Sequence, residues 1–361
     1  MKIISVVGAR PQFIKEAMIQ KEVKKYPFIE KKLIHTGQHY DYNMSGSFFE
    51  ILDLDQPDYN LEINNSSHGK MTGMMMVKIE EILMIENPDY LILYGDTNST
   101  LAGAIVARKL NIRVIHIEAG LRQKPKNMPE EINRVLTDHS SDILFVSSNL
   151  GIEVLKSEGI NELVFNVGDI MYDLYLLMKE QFLLNYYLEL GLEKNNYIVC
   201  TIHRDFNVDK SEDLKPLLQS LNSVSKEIPV VLPLHPRTAK RIKEFDLSKY
   251  CEDLVIIDPV DYFHLMGLVI NSYKVITDSG GLQKEAYYSD KEAIVIMPDT
   301  GWIELVDLGY NKLRGNSDFV KDALKKPIEI RNKNIYGNGT AAKQIVDKII
   351  EDFEGGKYAN R

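Results

Sequence analysis

Two series of short, nearly unbroken apolar runs restrict this 361-residue chain more than any other feature. The first series is Ile3–Val7, Leu33–His35, Tyr90–Leu93, Val114–Ile117, Ile143–Val146 and Leu163–Val167. An apolar run without polar alternation fits a strand covered on both faces, the usual state of a parallel strand. Helical patterns lie between these runs, at Met71–Ile85, Thr100–Lys109, Glu130–Ser140 and Leu150–Ser157. Pro11 opens a further helix, at a position where its missing N–H costs nothing. The alternation predicts βαβ units. Asp169–Leu190 interrupts it as one long apolar-rich helix, or a helix with a break. The rhythm restarts at Tyr197–Thr201 and continues through Val230–Leu232, Leu254–Ile257, Lys274–Thr277 and Ala293–Met297.

A chain of this length exceeds one ordinary core. The expected fold class is α/β: two Rossmann-like, doubly wound domains facing across a cleft. Residues 1–168 would form the first domain, with 340–361 returning to it as a helix, and residues 169–339 the second. Open α/β sheets bind ligands at the carboxyl ends of their strands, so the cleft is the expected site.

The net charge of −9 argues against a nucleic-acid partner. The two cysteines, Cys200 and Cys251, give no disulfide framework, and no Cys/His cluster has zinc spacing. The expectations are no metal and a reducing cytoplasm. Met1–Gly8 is too short for a signal peptide and reads as a strand. No apolar run approaches the ~20 residues of a membrane span.

Polar groups collect at the predicted strand ends. The stretch Tyr273-Lys-Val-Ile-Thr-Asp-Ser-Gly-Gly-Leu-Gln-Lys-Glu-Ala286 passes from strand to helix through Ser279, Gly280 and Gly281. Glycines admit close backbone approach, and the free N–H groups of a new helix suit a phosphate. Ser279 also serves as an N-cap. Glu285, near the end of the first turn, is within reach of a sugar hydroxyl. Arg10 and Lys15 follow strand one, where cations oppose the helix dipole, which favours a functional reason. Asp96 is either an N-cap or a catalytic acid. Glu118 ends a buried run and needs a partner, for which Arg122 is the nearby choice. Glu130 and Glu131 complement a helix dipole, which explains one of them. His203-Arg204 reads as a phosphate contact or a proton shuttle. His235 in Leu234-His-Pro-Arg237 reads as packing. No Gly-x-Gly-x-x-Gly follows strand one, so no dinucleotide is expected.

Taken together, Gly8-Ala-Arg-Pro-Gln-Phe-Ile-Lys15, His35-Thr-Gly-Gln-His39, Gly95-Asp-Thr97, Glu118-Ala-Gly-Leu-Arg122, Pro129-Glu-Glu-Ile-Asn-Arg134, His203-Arg204 and Thr277-Asp-Ser-Gly-Gly-Leu-Gln-Lys-Glu285 resemble the non-hydrolysing UDP-N-acetylglucosamine 2-epimerase family. The resemblance implies a GT-B-like pair of domains with UDP in the cleft, usually in a homodimer. It implies reversible C2 epimerisation of UDP-N-acetylglucosamine to UDP-N-acetylmannosamine for cell-surface polysaccharide precursors. The route is anti elimination of UDP to a 2-acetamidoglucal, then re-addition, without metal or nicotinamide. On the matching positions, Asp96, Glu118 and Glu130 become catalytic acids and His203 the catalytic histidine. Ser279, Gly280 and Gly281 bind the diphosphate and Glu285 the ribose. Arg10 and Lys15 face the nucleotide sugar, and Arg122 and Arg204 complete the binding set.

There are departures. Many members carry Thr-Glu-Arg-Pro-Glu where this chain has Thr300-Gly-Trp-Ile-Glu304. His68-Gly-Lys-Met-Thr72 differs from the segment of members with an activating second site, although Gln38 and His39 are present. Ala9 and Gln12 also resemble a sister group acting on UDP-2,3-diacetamido-2,3-dideoxyglucuronate, whose carboxylate Arg122, Lys124 or Lys126 would meet. A glycosyltransferase of the same GT-B architecture is a further alternative.

Overall fold

The structure is a computed structural model that describes residues 1–37, 54–64, 67–315 and 319–359. The chain divides into two compact units, Met1–Leu177 with Asn334–Arg361, and Met178–Lys333. Gln38 and His39 lie outside the described residues.

Unit 1 holds a seven-stranded sheet in the order β3-β2-β1-β4-β5-β6-β7. Its strands are β1 (Lys2–Val7), β2 (Glu30–His35), β3 (Tyr59–Asn60), β4 (Tyr90–Tyr94), β5 (Arg113–Ile117), β6 (Ile143–Val146) and β7 (Val164–Asn166). Every pairing is parallel. The strand order reverses between β1 and β4, which pair from Ile3↔Tyr90 to Val6↔Leu93. Ile4, Val6, Leu91, Leu93 and Val114 bury one face of the sheet against Met71, Met75 and Ile79 of the helix His68–Glu86 and Val106 of the helix Asn98–Lys109. Met74 and Val77 of that first helix are exposed instead.

Unit 2 repeats the plan with six strands in the order β10-β9-β8-β11-β12-β13. These are β8 (Ile198–Thr201), β9 (Val230–Pro233), β10 (Val255–Ile257), β11 (Lys274–Thr277), β12 (Ala293–Ile296) and β13 (Asn311–Arg314). All pairings are again parallel, and the order reverses between β8 and β11. The fold is therefore α/β with two doubly wound parallel sheets, as the alternation predicts. Both cysteines are buried and free.

Among the described residues, two strands go beyond the expectation, the edge strands β3 and β13. The interruption after Gly168 is a broken helix: Ile170–Met178, a 3-10 turn at Lys179–Gln181, then Tyr186–Glu189. Among the described residues, no helix is long and apolar enough to cross a membrane.

The last helix, Ala341–Ala359, packs on the helix Arg10–Val23 of unit 1. Tyr26 Oη donates to Asp347 (3.1 Å), and Arg113 pairs with Asp352 (2.7 Å). Its first turn is held by Asp173, whose carboxylate accepts the N–H groups of Ala341 (3.1 Å) and Ala342 (2.8 Å). Burial pushes the Asp173 carboxyl up to about 6, against the pull of those two N–H groups. A carboxyl raised on folding favours the folded state most below its unfolded value, about 4, and that contribution is lost as pH rises through 6. Asp173→Asn should remove this fall, so that the stability of wild type relative to the variant declines between about pH 4 and 6, read by urea denaturation. An unchanged slope would put the titration elsewhere.

Candidate active site

The carboxyl ends of the strands flanking each reversal carry most of the residues singled out by sequence. In unit 1 the end of β1 is tied to the end of β4 by one side chain. Gln12 Oε1 accepts from the N–H groups of Gly8 (2.7 Å) and Ala9 (3.0 Å). Its Nε2 donates to Tyr94 O (2.6 Å), Thr97 Oγ1 (3.0 Å) and Thr100 Oγ1 (2.9 Å). Gly8 is required there, since a Cβ would lie 2.1 Å from Ser99 Oγ. Arg10 opens the helix Arg10–Val23, and Lys15 follows within it.

Lys15 is buried, and its Nζ donates to Glu118 Oε2 at 2.6 Å. Glu118 follows β5 with φ +71°, the left-handed region. That conformation costs an L-residue roughly 1–2 kcal/mol and often marks a functional position. The N–H groups of Glu118 and Ala119 both donate to Phe145 O, each at 3.0 Å, and hold the turn. A Cβ built on Gly95 would lie 3.7 Å from Glu118 Oε1 and 3.8 Å from Lys15 Nζ, so the Gly95-Asp96 turn adjoins the pair.

The expected Glu118–Arg122 pairing is not what forms. Arg122 instead binds Glu158 through Nε (2.8 Å) and Nη2 (2.6 Å), and Asp138 (2.7 Å) and Leu121 O (2.6 Å) through Nη1. Four bonds to the protein leave that guanidinium committed, and Glu118 takes its cation from a helix 103 residues away in sequence. Asp96 is not the N-cap of the helix Asn98–Lys109, because Thr97 Oγ1 accepts from Thr100 N (3.3 Å). The Asp96 carboxylate pairs with Arg134, which also binds Glu131 (3.0 Å). Burial works against the Arg134 cation, but Asp96 and Glu131 outweigh it and hold its pKa above the ordinary value. Glu131 is buried and also accepts from Gln123 N (2.9 Å), whereas Glu130 stands exposed on the first turn of the helix Pro129–Ser140. Of the two adjacent glutamates, Glu131 therefore has the evident structural task.

In unit 2 the corresponding organiser is Asp278, just past β11 and fully buried. It accepts from the N–H groups of His203 (2.9 Å) and Arg204 (2.9 Å) and from Asn207 Nδ2 (3.0 Å). Its Oδ1 lies 3.1 Å from His203 Nδ1. Burial pushes the Asp278 carboxyl up, but His203, Asn207 and Arg204 together hold it below the usual carboxylate range. With Nδ1 given to Asp278, the part-exposed His203 ring keeps Nε2 for other partners. Arg204 is exposed, with Nε 3.4 Å from Asp278 O. His235 lies 5.4 Å from the His203 ring and caps the helix Pro236–Glu244 by accepting from Arg237 N (3.2 Å), a structural role.

Asp278 leads directly into the glycine turn. Ser279 caps the helix Gly280–Tyr288, its Oγ accepting from Leu282 N (3.4 Å). A Cβ on Gly280 or Gly281 would meet nothing within 4 Å, and neither has a left-handed φ. Nothing among the described residues demands glycine at either position, which is what a site approached from outside would show. Trp302 Nε1 donates to Gly280 O (3.0 Å), and Lys284 Nζ lies 3.7 Å from the Trp302 ring centre. An indole backed by an ammonium thus stands beside the glycine turn. Glu285 is half-buried on the same helix.

Unit 1 thus brings Lys15 and Glu118 together next to Gly95, which precedes Asp96, and unit 2 brings His203 to Asp278, which precedes the turn of Ser279, Gly280 and Gly281. Gln12, Arg134 and Asp278 are the organising residues that local sequence patterns do not assign.

Comparison with known proteins places the whole chain in a family. The family model described as UDP-N-acetylglucosamine 2-epimerase matches residues 21–350. A UDP-N-acetylglucosamine 2-epimerase homolog of Methanococcus maripaludis is 44% identical over 97% of this chain and 99% of its own length. The UDP-2,3-diacetamido-2,3-dideoxy-D-glucuronate 2-epimerase of Pseudomonas aeruginosa is 41% identical, over 97% of this chain and all (100%) of that protein. The crystal structure of Methanocaldococcus jannaschii UDP-GlcNAc 2-epimerase in complex with UDP-GlcNAc and UDP matches with a TM-score of 0.83 and 38% identity, covering 97% of this chain and 100% of that one. The family model spans 330 of the 361 residues and reaches into both units, and the chain belongs to the UDP-N-acetylglucosamine 2-epimerase family.

Proposed function

We propose that this protein is a non-hydrolysing UDP-N-acetylglucosamine 2-epimerase. The observation that carries this reading is the pairing of residue types at the two sheet reversals. Carboxylates with a buried lysine stand at one, and a carboxylate-held histidine beside an open glycine turn stands at the other. Inverting C2 requires its C–H bond to break and reform on the opposite face. With UDP at C1 this is balanced by elimination: a base takes the C2 proton, the C1–O bond breaks, and the C1=C2 bond of a 2-acetamidoglucal forms. UDP then re-adds at C1 as a proton reaches the other face of C2. Asp96, Glu118, Glu130 and His203 supply the proton-transfer groups. Ser279, Gly280 and Gly281 hold the departing UDP through backbone N–H groups, Glu285 holds the ribose, and Arg10, Lys15 and Arg204 supply positive charge.

Incubation with UDP-N-acetylglucosamine in D2O should place deuterium at C2 and yield UDP-N-acetylmannosamine, both followed by NMR. Retention of the C2 proton across a panel of UDP-N-acetylhexosamines would remove the assignment. UDP-2,3-diacetamido-2,3-dideoxyglucuronate belongs in the panel, because the P. aeruginosa relative named for it is 41% identical. Exclusive wash-in with that substrate would transfer the activity to it.

Gly281→Val should weaken UDP binding by roughly tenfold or more, about 1.4 kcal/mol, because its side chain fills the space a backbone-bound diphosphate needs. The open surroundings of Gly281 imply that the variant folds normally. Unchanged affinity in calorimetry would put the diphosphate elsewhere. We also place the enzyme in the cytoplasm as a homodimer, which sedimentation of the purified protein tests.

A further inference from the structure

Two positions before Glu118, β5 carries a second ionisable residue that the reaction above does not use. His116 is fully buried, and both its ring nitrogens are engaged. Nδ1 lies 2.6 Å from Asp138 Oδ1, and Nε2 lies 2.7 Å from the carbonyl oxygen of Gly95. A carboxylate and a carbonyl can only accept, so both bonds form together only when the ring donates from each nitrogen. The surrounding charges agree. Asp138 and Glu158 share one guanidinium, that of Arg122; Glu158 also has His139 Nε2 at 3.5 Å, and a cationic His116 sets a positive charge directly against Asp138. Burial pushes the Asp138 carboxyl up, but His116 and Arg122 hold it below the ordinary carboxylate range.

The same carboxylate reaches the neighbouring loop, since Asp138 Oδ2 accepts from Gly120 N (3.1 Å). Gly95 immediately precedes Asp96, and Gly120 follows Glu118 by two residues. These loops contain three left-handed residues: Gly95 at φ +61°, Glu118 at +71° and Gly120 at +75°. Glycine adopts this conformation freely, but Glu118 does so at a cost and persists in it only when its surroundings over-determine it. The bond path Gly95–His116–Asp138–Gly120 supplies that restraint from inside unit 1.

We propose that His116 and Asp138 form a buried imidazolium–carboxylate pair whose task is to position the turns bearing Asp96 and Glu118. Neither residue touches substrate. The proposal rests on Asp96 and Glu118 being proton-transfer groups, and it extends that reading by naming what fixes them. It also gives Arg122 a place, as the cation that neutralises the pair's far side.

Two measurements decide it. In the wild-type protein labelled with 15N-histidine, the His116 ring should show protons on both nitrogens, slow to exchange at neutral pH. A bare ring nitrogen would overturn the proposal, whatever the enzyme's substrate. Asp138→Asn keeps the shape but turns a donor toward Gly120 N or His116. It should lower kcat for C2 deuterium wash-in by about 10- to 100-fold, the cost of a small displacement of a reacting group. KM, UDP affinity and cooperative melting should stay near wild-type. A folded Asp138→Asn protein with kcat within about twofold of wild-type, or one whose loss lies in KM and UDP affinity, would overturn the positioning role. If the variant does not fold, the ring measurement decides alone. Absence of wash-in by the wild-type enzyme would strike the functional reading, leaving the ring measurement to judge the pair.

Discussion

Glu118→Gln is expected to lower turnover at least about 10²-fold, the usual scale for loss of a proton-transfer group and near 2.7 kcal/mol of barrier. The substitution is nearly isosteric. The amide oxygen still accepts from Lys15 Nζ, so the pair loses its charge balance and not its shape. What disappears is the ability to take or return a proton. Removing the anion also leaves the buried Lys15 ammonium with a neutral partner, a situation that costs stability when a charge is uncompensated. Thermal melting must therefore accompany the kinetics. The diagnostic pattern is a fall in C2 deuterium wash-in and in epimerisation together, with UDP affinity retained. Near-normal turnover in a folded variant would leave the proton transfer to Asp96, Glu130 and His203 and make Glu118 a structural counter-ion of Lys15.

The two sheets are legible in the sequence because parallel strands buried on both faces write themselves as apolar runs. Two edge strands, β3 and β13, escape that signal, although the edges β7 and β10 carry it. Tyr59–Asn60 is two residues long, and Asn311–Arg314 reads Asn-Lys-Leu-Arg, because an edge has no second neighbour to hide from water. Site residues at strand ends are legible as types but not as pairs. A sequence displays only neighbours at helical or strand spacing, so Arg122 suggests itself for Glu118, while the actual partner comes from a helix 103 residues away. Asp138 looks like one more polar residue in a run ending Thr-Asp-His-Ser, and only the fold turns it into the acceptor for His116 and Gly120. Asp278 is similar: it lies inside the glycine-turn motif, yet its bonds reach back 75 residues to His203 and 71 residues to Asn207.

His203→Ala should be the second severe lesion, again at least about 10²-fold in turnover. The ring is oriented through Nδ1 by Asp278 Oδ1 at 3.1 Å, which leaves Nε2 as the atom able to exchange a proton. Truncation removes that atom while sparing the scaffold. Asp278 still accepts from the main-chain N–H groups of residues 203 and 204 and from Asn207, so the glycine turn that follows it should stay in place. UDP should accordingly bind as in the wild type, and a matching loss of UDP affinity would count against separate proton-transfer and diphosphate roles. A second readout is built into the neighbouring ring. His235 is held below the ordinary imidazole value first by burial and then by the charge of His203, with Arg237 acting the same way and Asp278 opposing them. Deleting His203 removes one of the depressing influences and leaves the carboxylate that opposes them, so the His235 titration should move up in the variant. An NMR titration that finds His235 unmoved would mean the two rings do not sense each other, and the 5.4 Å ring pair would then be simple packing.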